Sequence, residues 1–190
     1  PTNGEDLTKA ELKARKQIQQ LMKFLKSEID GFESAVVLET AAHIGIRESR
    51  HIVGEYVLSP DDFSKKFDDA VWAKKTLWGP GTDMHDPDGP TGDLDRFLSP
   101  GWTAKHDFQI PYRCLVPKDV EGLLVAGRCI SAIGSMRWNT RSIQACLYTG
   151  QVVGTAAALS VNKDVLPRHV DVKTLQSKLL EQGFLPSDVS

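Results

Sequence analysis

The sequence predicts an α/β fold, and three observations carry that expectation. The apolar run Leu123-Leu124-Val125-Ala126 ends at Gly127 and reads as a fully buried strand of the type found in parallel sheets. A glycine-containing turn leads from it into a long helical pattern, Asn139 to Val161. Amphipathic helical patterns near both ends of the chain are separated by short extended stretches, the mixed layering expected of α/β proteins.

Each element has its own signal. Residues 8–30 read as an amphipathic helix: Thr8 and Glu11 fit a capping box, and Ile18, Leu21, Met22, Leu25 and Ile29 recur on one face before a stop at Gly31. Ala35 to Leu38 is a short strand, and Ile46 to Leu58 is extended with a bulge at Gly54. Ser59-Pro60-Asp61-Asp62 is a helix start, and Phe63, Phe67 and Val71 share a face, which predicts a helix over 60–73. Residues 78–111 are too rich in Gly and Pro for long regular structure. Trp78, Met84, His85, Phe97, Trp102 and Phe108 make that stretch a packed loop. In the helix from Asn139, the small residues Gly150, Gly154 and Ala158 form a stripe suited to close approach of a sheet, a helix or a cofactor. Asp171 caps a last helix carrying Leu175, Leu179 and Leu180, which ends at Gly183.

Composition narrows the function classes. At 190 residues the chain suits one domain or slightly more, and a net charge of −2 gives no field that selects nucleic acid or an anionic membrane. No apolar run approaches the ~20 residues that span a bilayer. The chain starts at Pro rather than Met, with no leader pattern behind it, so it reads as processed, trimmed or part of a longer product. Cys114, Cys129 and Cys146 match neither a redox pair nor a zinc site and are expected as reduced core thiols, hence a reducing, cytoplasmic setting. No metal is expected: Asp83, His85, Asp86 and Asp88 match no standard ligand spacing, and Asp86-Pro87-Asp88-Gly89 is turn chemistry.

The chemistry concentrates after Gly127. Open α/β sheets place ligands beyond the carboxyl ends of their strands, and helix starts favour negative charge. Gly127 and Gly134 let backbone approach a flat ligand closely. By pattern alone, a ligand site and an ordinary strand–helix packing unit stand as equal alternatives.

The stretch LLVAGRCISAIGSMRWNTRSIQACLYTGQVVGTAAALSV, residues 123–161, is similar to the C-terminal FAD-binding motif of a bacterial family of FAD-dependent oxidoreductases with the two-domain, glutathione reductase/fumarate reductase-like architecture. Four further blocks resemble it in the same order: GIRESRHIVGEYVL at 45–58, MHDPDG at 84–89, IPYRCLVPKDVEGLLVAGRCIS at 110–131 and LPRHVDVKTLQSKLLEQG at 166–183. The resemblance implies the C-terminal part of a FAD-binding Rossmann-like domain plus part of a substrate-binding α+β domain. Residues 1–111 would be the substrate or cap segment, 112–165 the FAD-binding part and 166–190 a helical tail. It implies FAD contacts from Gly127, Arg128, Ser131, Gly134, Ser135, Met136, Arg137 and Thr140, with Arg137 stabilising the anion of the reduced flavin.

On the substrate side the residue types suggest Arg47, His85 as an acid–base group in the glycine–proline loop, and the polar pair Tyr112 and Arg113, with loop anchoring as the alternative for His85 and the pair. Arg47 and Arg50, beside His51 and Glu55, fit either a substrate carboxylate or salt bridges with Glu48 and Glu55. His43 and His51 are conceivable points of covalent flavin attachment by residue type alone. Only Ala132 and Ile133 separate Ser131 from Gly134, shorter than the family's loop, which sets aside the acid–base role that loop hosts. The pyrophosphate cradle GxGxxG is absent; Gly79-Pro80-Gly81 comes nearest, with Met at 84. The expectation is therefore a subunit or cleaved C-terminal part of an enzyme that transfers a hydride between a small organic substrate and FAD. A second polypeptide, or a missing segment, would carry the N-terminal FAD-binding motif. The alternative is a non-catalytic subunit that stabilises a flavoprotein partner.

Overall fold

The structure, a computed structural model, describes residues 2–47, 49–76, 106–134 and 136–184. Two compact units divide at Ser49/Arg50.

The first unit is one long helix and the chain that returns beside it. Helix α1 spans Gly4–Glu28. Its cap is Asn3, whose Oδ1 accepts the Glu5 N–H at 3.0 Å. Thr8 lies inside the helix and donates to Gly4 O, so the expected capping box at Thr8 is replaced by a start one turn earlier. The returning chain is pinned at two points: Glu11 accepts the Ile44 N–H at 2.5 Å, and Arg15 donates to Thr40 Oγ1 at 3.0 Å. No α1 residue is buried. The strand expected at Ala35–Leu38 is not formed; the segment is coil and Leu38 is 93% exposed, because no second strand of this unit offers it backbone partners.

The second unit has one core. Strands β1 (Ala70–Thr76) and β2 (His106–Pro111) pair antiparallel, with Trp72 opposite Ile110 and a register irregularity between Ala70 and Trp72. This corrects two expectations. The helix over 60–73 is a single 3-10 turn, Pro60–Asp62, followed by a left-handed Ser64 and then strand. The local start signal was real, but Val71 and Trp72 are buried by sheet pairing, which overrides one turn of helical propensity. The loop expected to run to 111 ends by 106, where β2 begins. Phe108 and Trp72 pack edge-to-face with centroids 5.3 Å apart.

Three helices close the core. Met136–Thr140 is a short helix, α2; Ile143–Lys163 is α3; Val172–Glu181 is α4. The single helix expected from Asn139 is thus broken at Arg141-Ser142, where the Ser142 Oγ accepts the Ala145 N–H and caps α3. The buried face of α3 is Ala145, Thr149, Val152, Ala156 and Ser160, at helical spacing. Leu175 and Leu179 of α4 are fully buried, Asp171 caps it through the Thr174 N–H, and Gly183 ends it at φ +71°.

The run Leu123–Ala126 is not the buried strand that was expected. Leu123 is exposed, Leu124 to Ala126 are half-buried, and among the described residues its ladder is one bond, from the Val125 N–H to Leu115 O at 2.8 Å. A parallel strand needs neighbours on both sides, and the described residues supply one contact. Helices and a two-stranded sheet therefore make the mixed α/β content seen here. Among the described residues, no helix is long and apolar enough to cross a membrane.

Candidate functional site

The loop from Gly127 to Ser142 is built by four local devices. Gly127 adopts φ +83°, opening a 3-10 turn, Gly127–Cys129, and gives its N–H to the buried Thr149 Oγ1 at 3.0 Å. Residues 130–133 then run beside the extended chain 51–58. Leu58 N–H bonds Ser131 O at 3.1 Å, Ile133 N–H bonds Leu58 O at 2.8 Å, and Leu58 and Ala132 form a parallel bridge. Gly54 is the close-approach point of that pairing: a Cβ there would come within 2.8 Å of the Ser131 Cβ. Gly134, at φ +56°, reverses the chain into α2.

The anticipated cofactor residues divide by exposure. Arg128 and Gly134 are exposed, and Gly127 and Arg137 are half-buried, with the Arg137 Nε donating to Ala132 O at 3.3 Å. Ser131, Met136 and Thr140 are buried and back the loop from inside. Thr140 donates its hydroxyl to Arg137 O at 3.2 Å, which ties the end of α2 to the arginine. Ser135 lies outside the described residues. The Nε of Arg141 and the Oγ of Ser131 are buried with no hydrogen-bond partner among the described residues.

Of the anticipated substrate residues, Arg47 is exposed in the first unit, and His85 lies outside the described residues. Tyr112 is buried and donates to Pro167 O at 2.8 Å; burial pushes its phenol well above the ordinary value. Arg113 grips Asp69 with two nitrogens, at 2.8 and 3.2 Å, and lies over the Tyr56 ring at 5.1 Å. Both side chains are engaged in holding the scaffold. Among the described residues, no three His, Cys, Asp or Glu side chains converge as metal ligands.

Two features escaped sequence reasoning. Arg141 stands one helical turn beyond Arg137, and that i, i+4 spacing was the available signal. The second is a network around Asp62. Its carboxylate accepts the Tyr56 hydroxyl at 2.7 Å, the Ser59 N–H at 2.9 Å and the Lys65 ammonium at 3.0 Å. Burial alone would raise the Asp62 pKa; hydrogen bonds from Ser59, Tyr56 and Lys65 outweigh it and hold the group below its ordinary value. The expected helix had placed Asp62 in its first turn, with no partners assigned to it.

The family model for FAD dependent oxidoreductase matches residues 1–179. The chain belongs to this family. FAD is its cofactor, and its role is in flavin redox chemistry. The chain matches no curated protein and no solved structure.

The fit of the 127–142 loop to the cofactor of this flavoprotein rests on one observation. A Cβ added at Gly127 would meet nothing within 4 Å, so the left-handed turn leaves its backbone open on that side.

Proposed function

We propose that this chain forms the flavin-ring side of an FAD-dependent oxidoreductase that transfers a hydride between an organic substrate and FAD. The observation that carries the reading is the glycine turn itself: left-handed, open on one face, and bonded to the buried Thr149 on the other. When bound, FAD supplies the hydride acceptor or donor. The chain's own residues bind and orient. Gly127, Arg128 and Gly134 offer backbone to the ring and its ribityl chain. Arg137, held to Ala132, brings a permanent positive charge to the loop and favours an anion in front of it. Ser131, Met136 and Thr140 support that loop from behind. Arg47 and His85 are the residues proposed for substrate contact.

The pyrophosphate-binding GxGxxG, absent here, belongs in this proposal to a second polypeptide or a further segment of the same product. The outward face of α3 supports such a neighbour. Ile143 is 81% exposed, Leu147 66% and Val161 80%, with Gly150 and Gly154 between them on the same face. A Cβ at either glycine would meet nothing within 4 Å, so a second backbone can approach closely.

The test is to purify the protein with whatever accompanies it, then record its visible absorption spectrum and the intact masses. Flavin bands with a partner carrying GxGxxG are expected. A colourless chain that stays folded and takes up no FAD overturns the reading and leaves the stabilising subunit in its place.

A further inference from the structure

The chain 51–60 meets residues 129–134 at both of its ends, while residues 53–56 between them bond to residues 113–118. Beyond the Leu58 bonds, the Ile52 N–H reaches Cys129 O at 2.9 Å. At the far end Pro60 sits against Gly134: a Cβ on Gly134 would come within 2.9 Å of the Pro60 Cγ. Gly134 therefore answers two demands, a left-handed φ and room for the proline ring. The turn that carries Pro60 is fixed from inside by Asp62, which is 3% exposed and holds both the N–H and the hydroxyl of Ser59. Tyr56 and Lys65 supply the remaining bonds that a buried carboxylate needs.

We propose that Asp62 is a positioning residue for the flavin-facing loop: by locking the Ser59–Asp62 turn it sets Pro60 as a stop against Gly134 and so fixes Gly134 to Arg137. The inference rests on the functional reading above, since it assigns the loop to the flavin. Asp62 touches no reacting atom and acts through Pro60 and Gly134. Its role differs from that of general core packing, because the side chain spends its bonds within residues 56–65, the segment that meets the loop through the Leu58 backbone and Pro60.

The test compares wild type, Asp62→Asn and Gln176→Ala in the full chain with FAD and any co-purifying polypeptide. Gln176 is the control: it donates to Ala70 O at 2.8 Å and Asp68 O at 3.0 Å, elsewhere in the same unit. Two readouts are taken: amide hydrogen exchange at Ile133 and Arg137, and the flavin absorption bands with the FAD dissociation constant. Asp62→Asn should speed exchange at both amides about tenfold and weaken FAD about tenfold with a shifted visible band, as expected for loss of a charge-assisted bond. Gln176→Ala should lower the melting temperature and move neither readout.

Wild-type exchange and an unshifted spectrum in Asp62→Asn overturn the proposal. So does Gln176→Ala moving both equally. If Asp62→Asn does not fold, Pro60→Ala removes the stop with the carboxylate network intact and is judged on the same readouts. A wild-type protein with no flavin bands would sink the functional reading, and the exchange data would still decide whether Asp62 positions the loop.

Discussion

Thr149→Val removes the hydroxyl that holds the Gly127 turn from below. Thr149 is fully buried on α3; its Oγ1 donates to Ala145 O at 2.8 Å and accepts the Gly127 N–H at 3.0 Å. Valine keeps the branched shape and nearly the same helix propensity, so the substitution removes an oxygen and little else. The lost bond is worth about 1 kcal/mol. The Gly127 N–H is left without its partner, and because Gly127 is only half-buried, water recovers part of that cost. The sum is about 1.5 kcal/mol, which for a unit of this size lowers the melting temperature by about 3–6 °C. Thermal melting followed by far-ultraviolet circular dichroism measures it, with an FAD titration alongside that should weaken in parallel. A melting temperature within about 1 °C of wild type, with unchanged FAD affinity, would refute the idea that Thr149 holds the turn.

Three further outcomes are expected. Arg168 joins Glu55 at 3.3 Å, Glu121 at 3.0 Å and the carbonyl of Pro117 at 3.0 Å, so Arg168→Ala should destabilise the second unit by about 1–3 kcal/mol in urea titration, discounted for the exposure of Glu121. Burial pushes the Cys114 thiol up to about 12, so alkylation at pH 8 should spare Cys114 in the folded protein, while denaturant should release three free thiols, counted by mass spectrometry. The Asp62 carboxyl has a folded pKa below its ordinary 3.8, so its contribution is complete above that value and is lost as pH falls through the folded one. Melting temperature measured against pH should therefore drop more steeply below about pH 4 in wild type than in Asp62→Asn, and parallel curves would remove Asp62 from the acid transition.

What the sequence disclosed depended on how far each signal reaches along the chain. The cap at Asp171, the leucines of α4 and its end at Gly183 are decided within one or two turns, and all three were readable. The glycine-containing turn after Ala126 was readable for the same reason. Residues 60–73 were misread because their helix start is local, whereas the pairing of Val71 and Trp72 with residues near 110 is not. Leu123–Ala126 was misread because apolar character was taken for burial, and burial of a strand depends on neighbours far away in the chain. The Asp62 network was missed for a third reason: Ser59 and Lys65 stand three residues to either side of it, but Tyr56, six residues before, reaches the carboxylate only because the fold turns the chain back at Ser59. The anticipated Tyr112 and Arg113 show the converse, a polar pair in a motif whose side chains are engaged by Pro167 and Asp69.

The register of the two strands has a consequence for how this protein can change. Thr76 and His106 face one another across the end of the ladder, so the chain positions 76 and 106 are held together by the last pair of the sheet. The ends are joined by the ladder whatever lies between them, and the entropy of closing such an excursion grows only slowly with its length. A change in the number of residues between those two positions should therefore place little strain on the core around β1 and β2. A graft between positions 76 and 106 would ask the acceptor only for a matching pair of strand ends.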